Sequence, residues 1–449
     1  MPSAANDRAL ADGRRLLRHL AARIDFPVAF RLWDESVIPF DGTASGADTG
    51  AAGEPRHVVR IAGPDVFRAL IRRPGLETLF RLYATGRIDI EGRDLIGLFR
   101  AGQSWKRGRP SPGSLIRGLP LGATLRLALG GRSDAGPAAG HVYEGEETGR
   151  DAARRDNSRF IQFHYDVSND FYRLFLDPEM LYSCAYFHDW SEPLEQAQKN
   201  KLDMICRKLR LRPGERFLDI GCGWGALICH AATHYGVTAH GVTLSEAQFE
   251  HARAKIDRLG LADRVTVELR DYATLDGEWD KIASIGMYEH VGIANYPAYF
   301  KKLQHLLRDR GILLNHGITR RAKRKPKTFR RISQGRRIIL RYIFPGSDLD
   351  HIGNTLDVME TAGFEIHDVE GWREHYALTC QHWYERLTDN ADAAIDEIGA
   401  ERYRMWLAYL AGVSVGFEAG PLRIFQVVAS SQARKGPSEL PPTRADLYA

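Results

Sequence analysis

The sequence is poor in cysteine and has no long run of apolar residues. Its five cysteines form no C-x-x-C pair and are too sparse for a disulfide-stapled chain; they are Cys184, Cys206, Cys222, Cys229 and Cys380. This spacing predicts a reducing compartment and no zinc site. Because no stretch of roughly 18 apolar residues occurs, we expect no membrane-spanning helix. Residues 1–14 lack the apolar core of a signal peptide, so we expect a cytoplasmic protein.

Acidic residues are missing from one basic segment. The net charge is only +5, yet residues 320–341 carry eleven arginines and lysines and no acid. Such a run is most often a solvated face. If it has a function, an anionic lipid surface is favoured over nucleic acid, because no nucleic-acid-binding motif accompanies it. We therefore expect no nucleic-acid partner.

Three alternating glycines mark the most informative stretch. The apolar run from Phe217 to Ile220 predicts a buried strand, and it ends in Gly221-Cys222-Gly223-Trp224-Gly225 before a helical pattern. Glycines there let a ligand approach the backbone beside a helix N-terminus. The spacing differs from the dinucleotide fingerprint G-x-G-x-x-G. With Asp219 before the first glycine, it resembles motif I of class I S-adenosylmethionine-dependent methyltransferases, which implies that cofactor.

The pattern around this motif predicts an α/β fold. Strands that alternate with helices indicate a mostly parallel sheet, with a smaller N-terminal α+β domain. The motif I resemblance implies that this is a Rossmann-like, seven-stranded methyltransferase sheet. The predicted strands are Phe217–Ile220, Thr238–Val242, Val265–Leu269, Lys281–Ile285, Gly311–Asn315, Phe364–Val369 and Arg423–Ala429. The predicted organisation is a small domain at 1–100, a linker at 101–157, the methyltransferase domain at 158–433 and a disordered tail at 434–449.

Other patterns belong to the N-terminal half. Helical patterns are predicted at Arg8–Ile24, Asp65–Arg73 and Leu76–Ala84, then at Arg87–Ile90 and Arg93–Phe99; strands are predicted at Phe26–Leu32 and His57–Ile61. Within the linker, Ser114–Leu129 places leucines among arginines. Its glycines and proline make one continuous helix unfavourable, and we expect it at a surface or membrane interface.

Further motifs narrow the family. The second strand ends in Gly-Val-Thr-Leu-Ser-x-x-Gln (241–248), where a generic methyltransferase would carry an acid. This motif resembles the cyclopropane-fatty-acyl-phospholipid synthase family and its mycolic-acid cyclopropane synthase relatives. Further segments resemble the same family, at residues 164–171, 176–178, 182–186, 286–292, 342–346 and 404–406. The resemblance covers roughly residues 160–430 and, more loosely, the first domain.

The resemblance implies two sets of site residues. The cofactor set combines motif I with family positions: Tyr182, Ser183, Asp219, Gly221, Gly223, Gly225, Thr243, Leu244, Gln248 and Tyr272. The catalytic set would hold a bicarbonate ion, and it consists of Cys184, Glu289, His316, Tyr376 and the backbone of Ile318. No metal is expected, since the adjacent Glu289 and His290 would not point to one side.

Each catalytic candidate also has an ordinary structural interpretation. Glu289 could cap a helix, His316 could be a satisfied structural histidine, and Cys184 could be a small buried apolar residue. Tyr376 could belong to the core. The functional interpretation is favoured because all four fall at matching places around one cofactor motif.

The resemblance implies an enzyme that adds a methylene group across the cis double bond of phospholipid acyl chains. Bicarbonate would be the base, and the protein would act peripherally at the inner face of the membrane, with a homodimer implied. Two alternatives stay open for the reaction: acyl-chain methylation without ring closure, and N-methylation of a small amine. A lipid-binding protein with a vestigial methyltransferase fold is the non-enzymatic alternative.

Overall fold

The computed structural model describes residues 4–40, 57–105, 111–130, 142–143, 145, 157–165, 167–432 and 436–448. The chain divides into two compact units. Unit 1 comprises Met1–Val142, Ile332–Ile338 and Ala391–Val415; unit 2 comprises Tyr143–Arg331, Ile339–Asn390 and Gly416–Ala449. Within the described ranges, no helix has the length and apolar character that crossing a bilayer requires.

The strands, in chain order, are β1 (Val28–Arg31), β2 (Val37–Pro39), β3 (His57–Ile61), β4 (Ile88–Ile90), β5 (Arg216–Ile220), β6 (Thr238–Thr243), β7 (Val265–Leu269), β8 (Trp279–Ile285), β9 (Leu307–Arg320), β10 (Phe364–Gly371) and β11 (Leu422–Ser431). The α-helices are α1 (Ala4–Ala21), α2 (Pro64–Arg72), α3 (Leu76–Ala84), α4 (Leu95–Trp105), α5 (Pro112–Ile116), α6 (Leu121–Leu129), α7 (Asn157–Tyr165), α8 (Asn169–Arg173), α9 (Leu194–Leu209), α10 (Ala226–Tyr235), α11 (Glu246–Arg258), α12 (Tyr296–Leu306), α13 (Pro326–Arg330), α14 (Gln334–Tyr342), α15 (Ile352–Thr361), α16 (Arg373–Asp389), α17 (Ala391–Ile398) and α18 (Ala400–Glu418).

Unit 1 contains a four-stranded sheet of order β2-β1-β3-β4, in which only β1 and β3 run parallel. Its core joins the sheet to α1, α2 and α6. The helical prediction for Arg87–Ile90 is wrong. Ile88 and Ile90 are buried while Asp89 between them is not, so the segment has the period of a strand, and it pairs with β3. The three-residue strand β2 had no prediction.

Two segments differ from their sequence-based description. Part of the predicted linker belongs to unit 1, because α6 buries Ala123 and Leu127 there. The remainder of that linker lies largely outside the described residues. The predicted disordered tail is folded over residues 436–448, where Leu447 is buried and Asp446 pairs with Arg210. Its prolines mislead because side-chain contacts and one short 3₁₀ helix, Ala445–Leu447, hold this segment.

Unit 2 confirms the α/β prediction. Its seven-stranded sheet has the order β10-β11-β9-β8-β5-β6-β7. The strands from β9 to β7 are parallel, and β11 is antiparallel between β9 and β10. Separate apolar clusters pack around α10 and around α12 and α15. In a sheet of this kind, loops at the carboxyl ends of the parallel strands form the ligand site.

Candidate active site

A cavity in unit 2 opens at the carboxyl ends of β5, β6 and β8. It brings together nine of the ten predicted cofactor residues: Tyr182, Ser183, Asp219, Gly221, Gly223, Thr243, Leu244, Gln248 and Tyr272. Apolar side chains that also line it include Ile161, Met180 and Met287. The cavity therefore combines a polar end at the glycine turn with an apolar wall.

The three glycines of the turn differ in what their missing side chains make room for. All three have positive φ, at +79° for Gly221, +54° for Gly223 and +84° for Gly225. A Cβ on Gly223 would meet no atom within 4 Å, whereas one on Gly225 would lie 3.0 Å from Ala252 Cβ. Gly225 does not line the cavity; it allows α10 and α11 to approach each other closely. Its predicted cofactor contact is therefore replaced by a packing role.

Hydrogen bonds among its own residues fix the conformation of the Gly-Val-Thr-Leu-Ser-x-x-Gln segment. Thr243 donates its hydroxyl to Gln248 Oε1 at 2.8 Å, and it accepts from the backbone of Ser245 at 3.2 Å. Ser245 in turn caps α11 by accepting from the Gln248 backbone. Since the Gln248 oxygen is occupied by Thr243, the amide NH₂ is the group this residue can offer to a ligand.

Asn169 connects the cavity loops. Its side-chain oxygen accepts from the indole nitrogen of Trp224 at 2.7 Å, and its nitrogen donates to the Ala247 carbonyl at 3.2 Å. One amide thus ties the glycine turn to the first turn of α11. The motif around residue 169 carried the family resemblance, but Asn169 was not predicted as a site residue.

A buried lysine faces the acid of motif I. Lys201 on α9 lines the cavity and donates to Ser183 Oγ at 2.9 Å. Burial raises the pKa of Asp219 to about 7, against the opposing charge of Lys201. Burial also lowers the pKa of Lys201 to about 8. Asp219 Oδ1 is buried and has no hydrogen-bond partner among the described residues, so a cationic ligand with N–H donors would fit there.

Cofactor binding should therefore depend on pH. The raised pKa of Asp219 means that its carboxyl group is protonated below about pH 7 and charged above it. Since S-adenosylmethionine is a cation with a free ammonium group, its affinity should rise with pH between 6 and 8. Binding at pH 6.5 should release protons, which calorimetry in buffers of different ionisation enthalpy would detect. A pH-independent affinity in this range would contradict this prediction.

Lys201→Met tests the same pair from the other side. Losing the Ser183 bond and the charge beside Asp219 should weaken cofactor affinity about tenfold and move its pH dependence to higher pH. Lys199→Met, at an exposed position two residues earlier, is the matched control and should leave both quantities unchanged. Equal behaviour of the two variants would remove Lys201 from the site.

Glu289 follows β8 in a 3₁₀ turn, between cavity-lining Met287 and His290. Its Oε1 accepts from the backbone of Ile318 on β9 at 2.6 Å. Its Oε2 is buried, and no described residue supplies a hydrogen-bond partner for it. Burial raises the pKa of this carboxyl group to about 7, although the Ile318 bond opposes the shift. This arrangement leaves one unused acceptor, so Glu289 does not serve as a simple helix cap.

His316 is held by a chain of buried polar groups. Lys208 donates to Gln426 Oε1 at 2.7 Å and forms an ion pair with Glu370. The Gln426 nitrogen therefore faces His316 Nδ1, at 3.0 Å, and donates to it. Burial, together with the charges of Lys201 and Lys208, holds the pKa of His316 well below its usual range. The neutral ring carries its proton on Nε2, a buried donor with no partner among the described residues.

Trp372 brings the catalytic candidates together. Its indole packs edge-on against the His316 ring, with centroids 5.2 Å apart. Its carbonyl oxygen lies 3.7 Å from Cys184 Sγ and accepts from the Tyr376 backbone. Burial raises the pKa of the Cys184 thiol well above its usual range, so the thiol is neutral. Trp372 thus contacts Cys184, the His316 ring and the Tyr376 backbone, while Glu289 contacts β9 at Ile318, two residues after His316.

One predicted contact differs from the structure. The Ile318 N–H, expected to bind bicarbonate, donates to Glu289 instead, and the Ile318 carbonyl accepts from the Tyr288 hydroxyl. Both of its backbone groups are thereby used. None of the four candidate catalytic residues is among the described residues that line the cavity. Cys184 instead follows cavity-lining Ser183, and Glu289 follows the wall that contains Met287.

Gly317 makes the approach of Tyr288 to β9 possible. A Cβ at this position would lie 1.9 Å from Cε1 of the fully buried Tyr288 ring. Gly317→Ala should therefore displace that ring and lower the free energy of unfolding by about 2 to 3 kcal/mol, measured by urea denaturation. Gly102→Ala, with open space around its Cβ, should change stability by less than about 1 kcal/mol. An equal effect of both substitutions would contradict the steric explanation.

Several residues that shape the site were absent from the prediction. They are Asn169, Lys201, Lys208, Gly317, Trp372 and Gln426. Lys201 and Lys208 look like ordinary charges of an amphipathic helix, and only their burial marks them. Gln426 lies directly opposite His316 across the β9–β11 pair, which the strand register alone reveals.

Known proteins match both the sequence and the fold. The sequence model of the family described as mycolic acid cyclopropane synthetase matches residues 152–427. A probable fatty acid methyltransferase of Pseudomonas putida is 41% identical over 95% of this chain and 97% of its own length. Cyclopropane-fatty-acyl-phospholipid synthase of Escherichia coli K12 is 38% identical over 61% of this chain and 68% of its own length.

A solved structure agrees with these relatives. Mycolic acid cyclopropane synthase CmaA1, in complex with SAH and CTAB, superimposes with a TM-score of 0.59 at 34% identity, covering 62% of this chain and all of that one. The predicted family resemblance and the use of S-adenosylmethionine are thus confirmed. The chain belongs to the mycolic acid cyclopropane synthetase family and is an S-adenosylmethionine-dependent methyltransferase like cyclopropane-fatty-acyl-phospholipid synthase.

Proposed function

We propose that this enzyme converts the cis double bond of unsaturated phospholipid acyl chains into a cyclopropane ring, with bound bicarbonate as the base. The observation that carries the proposal is two buried polar atoms on residues next to the cavity lining, since Glu289 follows Met287 closely and His316 pairs with Ile285 across β8 and β9. Glu289 Oε2 is an acceptor and His316 Nε2 a donor, and neither has a partner among the described residues. Buried polar groups of this kind require a ligand or water.

The chemistry of the two atoms fits bicarbonate. Its hydroxyl group can donate to the Glu289 carboxylate, and one of its oxygens can accept from His316 Nε2–H. Bicarbonate, when bound, supplies a proton acceptor in a water-poor site. Ile318 is left out of this set because its backbone groups already have partners. Cys184 and Tyr376 border the same region through Trp372.

The reaction needs a proton acceptor because of its atom balance. Transfer of the sulfonium methyl group to an alkene leaves a carbocation on the acyl chain. Loss of one proton from that methyl group closes the ring, so the lipid gains CH₂. Glu289 and His316 would hold the acceptor in place while buried aromatic rings exclude water. Tyr182, which lines the cavity, would offer a π face that stabilises a cation.

Phospholipid is proposed as the substrate because of the names of two relatives and the apolar wall of the cavity. The Escherichia coli relative is named for fatty-acyl-phospholipid chemistry, and the relative from Pseudomonas putida is named for fatty acids. The basic segment 320–341 stays a predicted contact with anionic lipid, and peripheral association with the inner membrane face and a homodimer remain proposals as well. An acyl substrate also fits the apolar wall of the cavity.

Incubation of the protein with S-adenosylmethionine, bicarbonate and vesicles of dioleoyl phospholipid tests the proposal. Mass spectrometry should show a gain of one CH₂ per modified chain, and proton NMR should show upfield ring resonances. A buffer freed of carbon dioxide and bicarbonate should suppress product formation, and adding bicarbonate back should restore it. Unchanged lipid under all these conditions would overturn the proposal.

A second candidate is acyl-chain methylation without ring closure. It is favoured by the near full-length match to a probable fatty acid methyltransferase. A methyl branch that keeps the double bond has the same mass as the ring, so NMR must separate the two products. Retained vinyl protons with a new methyl resonance would establish this candidate. Product from a soluble amine, or cofactor binding without any product, would support the amine or lipid-binding alternatives.

A further inference from the structure

Unit 1 exposes an unusual number of large apolar side chains on one short segment. Residues 111–130 form α5 and α6, and four of their side chains are exposed: Ile116 at 65%, Leu121 at 72%, Leu125 at 59% and Leu129 at 67%. The three leucines are spaced four residues apart, so they lie along one side of α6. We call Ile116 and these three leucines the leucine stripe.

The leucine stripe is presented in a fixed orientation. The opposite side of α6 buries Ala123 and Leu127, and Leu127 belongs to the core of unit 1. Arg126 binds both carboxylate oxygens of Asp12 on α1, at 2.8 and 2.6 Å. The helix is therefore held by packing and by an ion pair, and its exposed leucines cannot be attributed to a detached segment. Exposed apolar surface of this kind marks an interaction site.

Arginines flank both ends of the leucine stripe. Arg23 donates to the Arg117 carbonyl at 3.2 Å beside α5, and Arg72 donates to the Ala128 carbonyl at 2.8 Å at the end of α6. These contacts fix basic side chains next to the exposed leucines. Asp12, which contacts α6, is paired with Arg126 and so adds no net negative charge to this surface. The sequence from residue 95 to residue 133 contains no aspartate or glutamate.

We propose that the leucine stripe inserts into the boundary between headgroups and acyl chains of an anionic bilayer, with Arg23, Arg72 and Arg117 at the phosphates. A helix with apolar side chains on its outer face and basic groups at its flanks binds in this way. A second copy of the chain is disfavoured as the occupant. In an antiparallel two-fold contact of α6, Arg23 and Arg117 at one end would lie against Arg72 at the other, and these like charges repel.

This inference deepens the proposed function, because it names the surface by which the enzyme would reach lipid. It can nevertheless be tested without turnover. Vesicles of fully saturated phosphatidylglycerol and phosphatidylcholine contain no double bond, so binding to them is independent of the reaction. Failure of binding and failure of catalysis are therefore distinguishable.

The principal experiment is co-sedimentation of the full chain with these saturated vesicles. The triple variant Leu121→Ser, Leu125→Ser, Leu129→Ser should bind about tenfold or more weakly than the unmodified chain. The control variant Leu259→Ser, Leu269→Ser changes exposed leucines of unit 2 and should bind as the unmodified chain does. Equal binding by the triple variant and the control would overturn the proposal.

Two further measurements test the role of the flanking arginines and the insertion of α6 into the bilayer. Arg23→Gln with Arg72→Gln should weaken binding to phosphatidylglycerol vesicles and reduce its dependence on salt. In Leu125→Trp, tryptophan fluorescence should shift to shorter wavelength when vesicles are added. Absence of that shift, with binding retained, would place the membrane contact elsewhere.

Folding and self-association are checked on the same proteins. Because the replaced leucines are exposed, circular dichroism and the melting temperature of the triple variant should match those of the unmodified chain. Turnover of detergent-dispersed dioleoyl lipid should also be retained. If light scattering shows that the triple variant loses a dimer while vesicle binding persists, the leucine stripe is a self-association surface and the proposal fails.

Discussion

Glu289→Gln is expected to lower turnover by about 10² to 10³-fold while changing S-adenosylmethionine affinity by less than about threefold. Glutamine keeps the size of the side chain and an oxygen that can accept from Ile318, as Glu289 Oε1 does at 2.6 Å. It replaces the unpartnered Oε2 by an NH₂ group, which cannot accept the hydroxyl proton of bicarbonate. Binding of the cofactor, whose cavity Glu289 does not line, should therefore survive.

The pH dependence of this variant identifies the carboxylate. In the unmodified enzyme the pKa of Glu289 is raised to about 7, so the accepting, ionised form predominates only above that pH. Turnover at saturating free bicarbonate should rise through pH 7. In Glu289→Gln this particular rise should be absent. Asp177→Asn is a useful contrast. The Asp177 carboxylate accepts from the backbones of Glu179 and Leu181, just before cavity-lining Tyr182, so its loss should affect cofactor KM more than kcat.

Stability should change in the opposite direction to activity. A carboxyl group whose folded pKa lies above its unfolded pKa stabilises the fold fully below the unfolded value and progressively less as pH rises to the folded value. For Glu289 this window runs from its ordinary value of 4.5 to about 7. Glu289→Gln should therefore raise the melting temperature at pH 8 more than at pH 5. A stability loss at pH 8 together with weakened cofactor binding would indicate a purely structural residue.

The sequence predicts the sheet of unit 2 because its pattern is local and strong. Apolar runs such as Phe217–Ile220 end at glycines, and Ser245 supplies an N-cap for α11. It predicts less of β9, which runs from Leu307 to Arg320 although only Gly311–Asn315 was expected. The remainder of that strand exists because β8 and β11 pair with it, and long-range pairing has no local pattern.

The cofactor residues were also predictable because they lie close together in the sequence. Thr243, Ser245 and Gln248 are close in sequence and bond to one another, so one short motif contains the whole arrangement. The groups around His316 come from α9, β9, β10 and β11, and nothing near residue 316 in sequence indicates Gln426 or Lys208. Their contact arises only when the antiparallel pair of β9 and β11 forms.

Gln426→Leu is expected to weaken bicarbonate binding about tenfold without changing S-adenosylmethionine affinity. Gln426 is fully buried, and it lies opposite His316 across the β9–β11 pair. Its amide nitrogen donates to His316 Nδ1, which keeps the ring proton on Nε2 where bicarbonate would accept it. Leucine cannot donate, so both neutral tautomers of His316 become available, and one of them presents a lone pair to the anion.

Lys208 should act through Gln426 and not directly. Its ammonium group donates to Gln426 Oε1 and thereby fixes which end of the amide faces His316. Lys208→Met removes that constraint, although Glu370 then loses its ion-pair partner. We expect the same loss of bicarbonate affinity as in Gln426→Leu, and the double variant should be no weaker than the weaker single variant, because both changes release one tautomer.

The tautomer can be observed without turnover. In protein labelled with ¹⁵N-histidine, long-range proton–nitrogen correlation distinguishes a protonated Nε2 from a protonated Nδ1, and His316→Asn identifies the resonance. The unmodified chain should show Nε2–H, and Gln426→Leu should show a mixture, while ¹³C-bicarbonate titration reports affinity. If His316 of the unmodified chain carries its proton on Nδ1, Nε2 is an acceptor. His316 could then not donate to the anion, and Glu289 would be left without the complementary donor that makes a bicarbonate site.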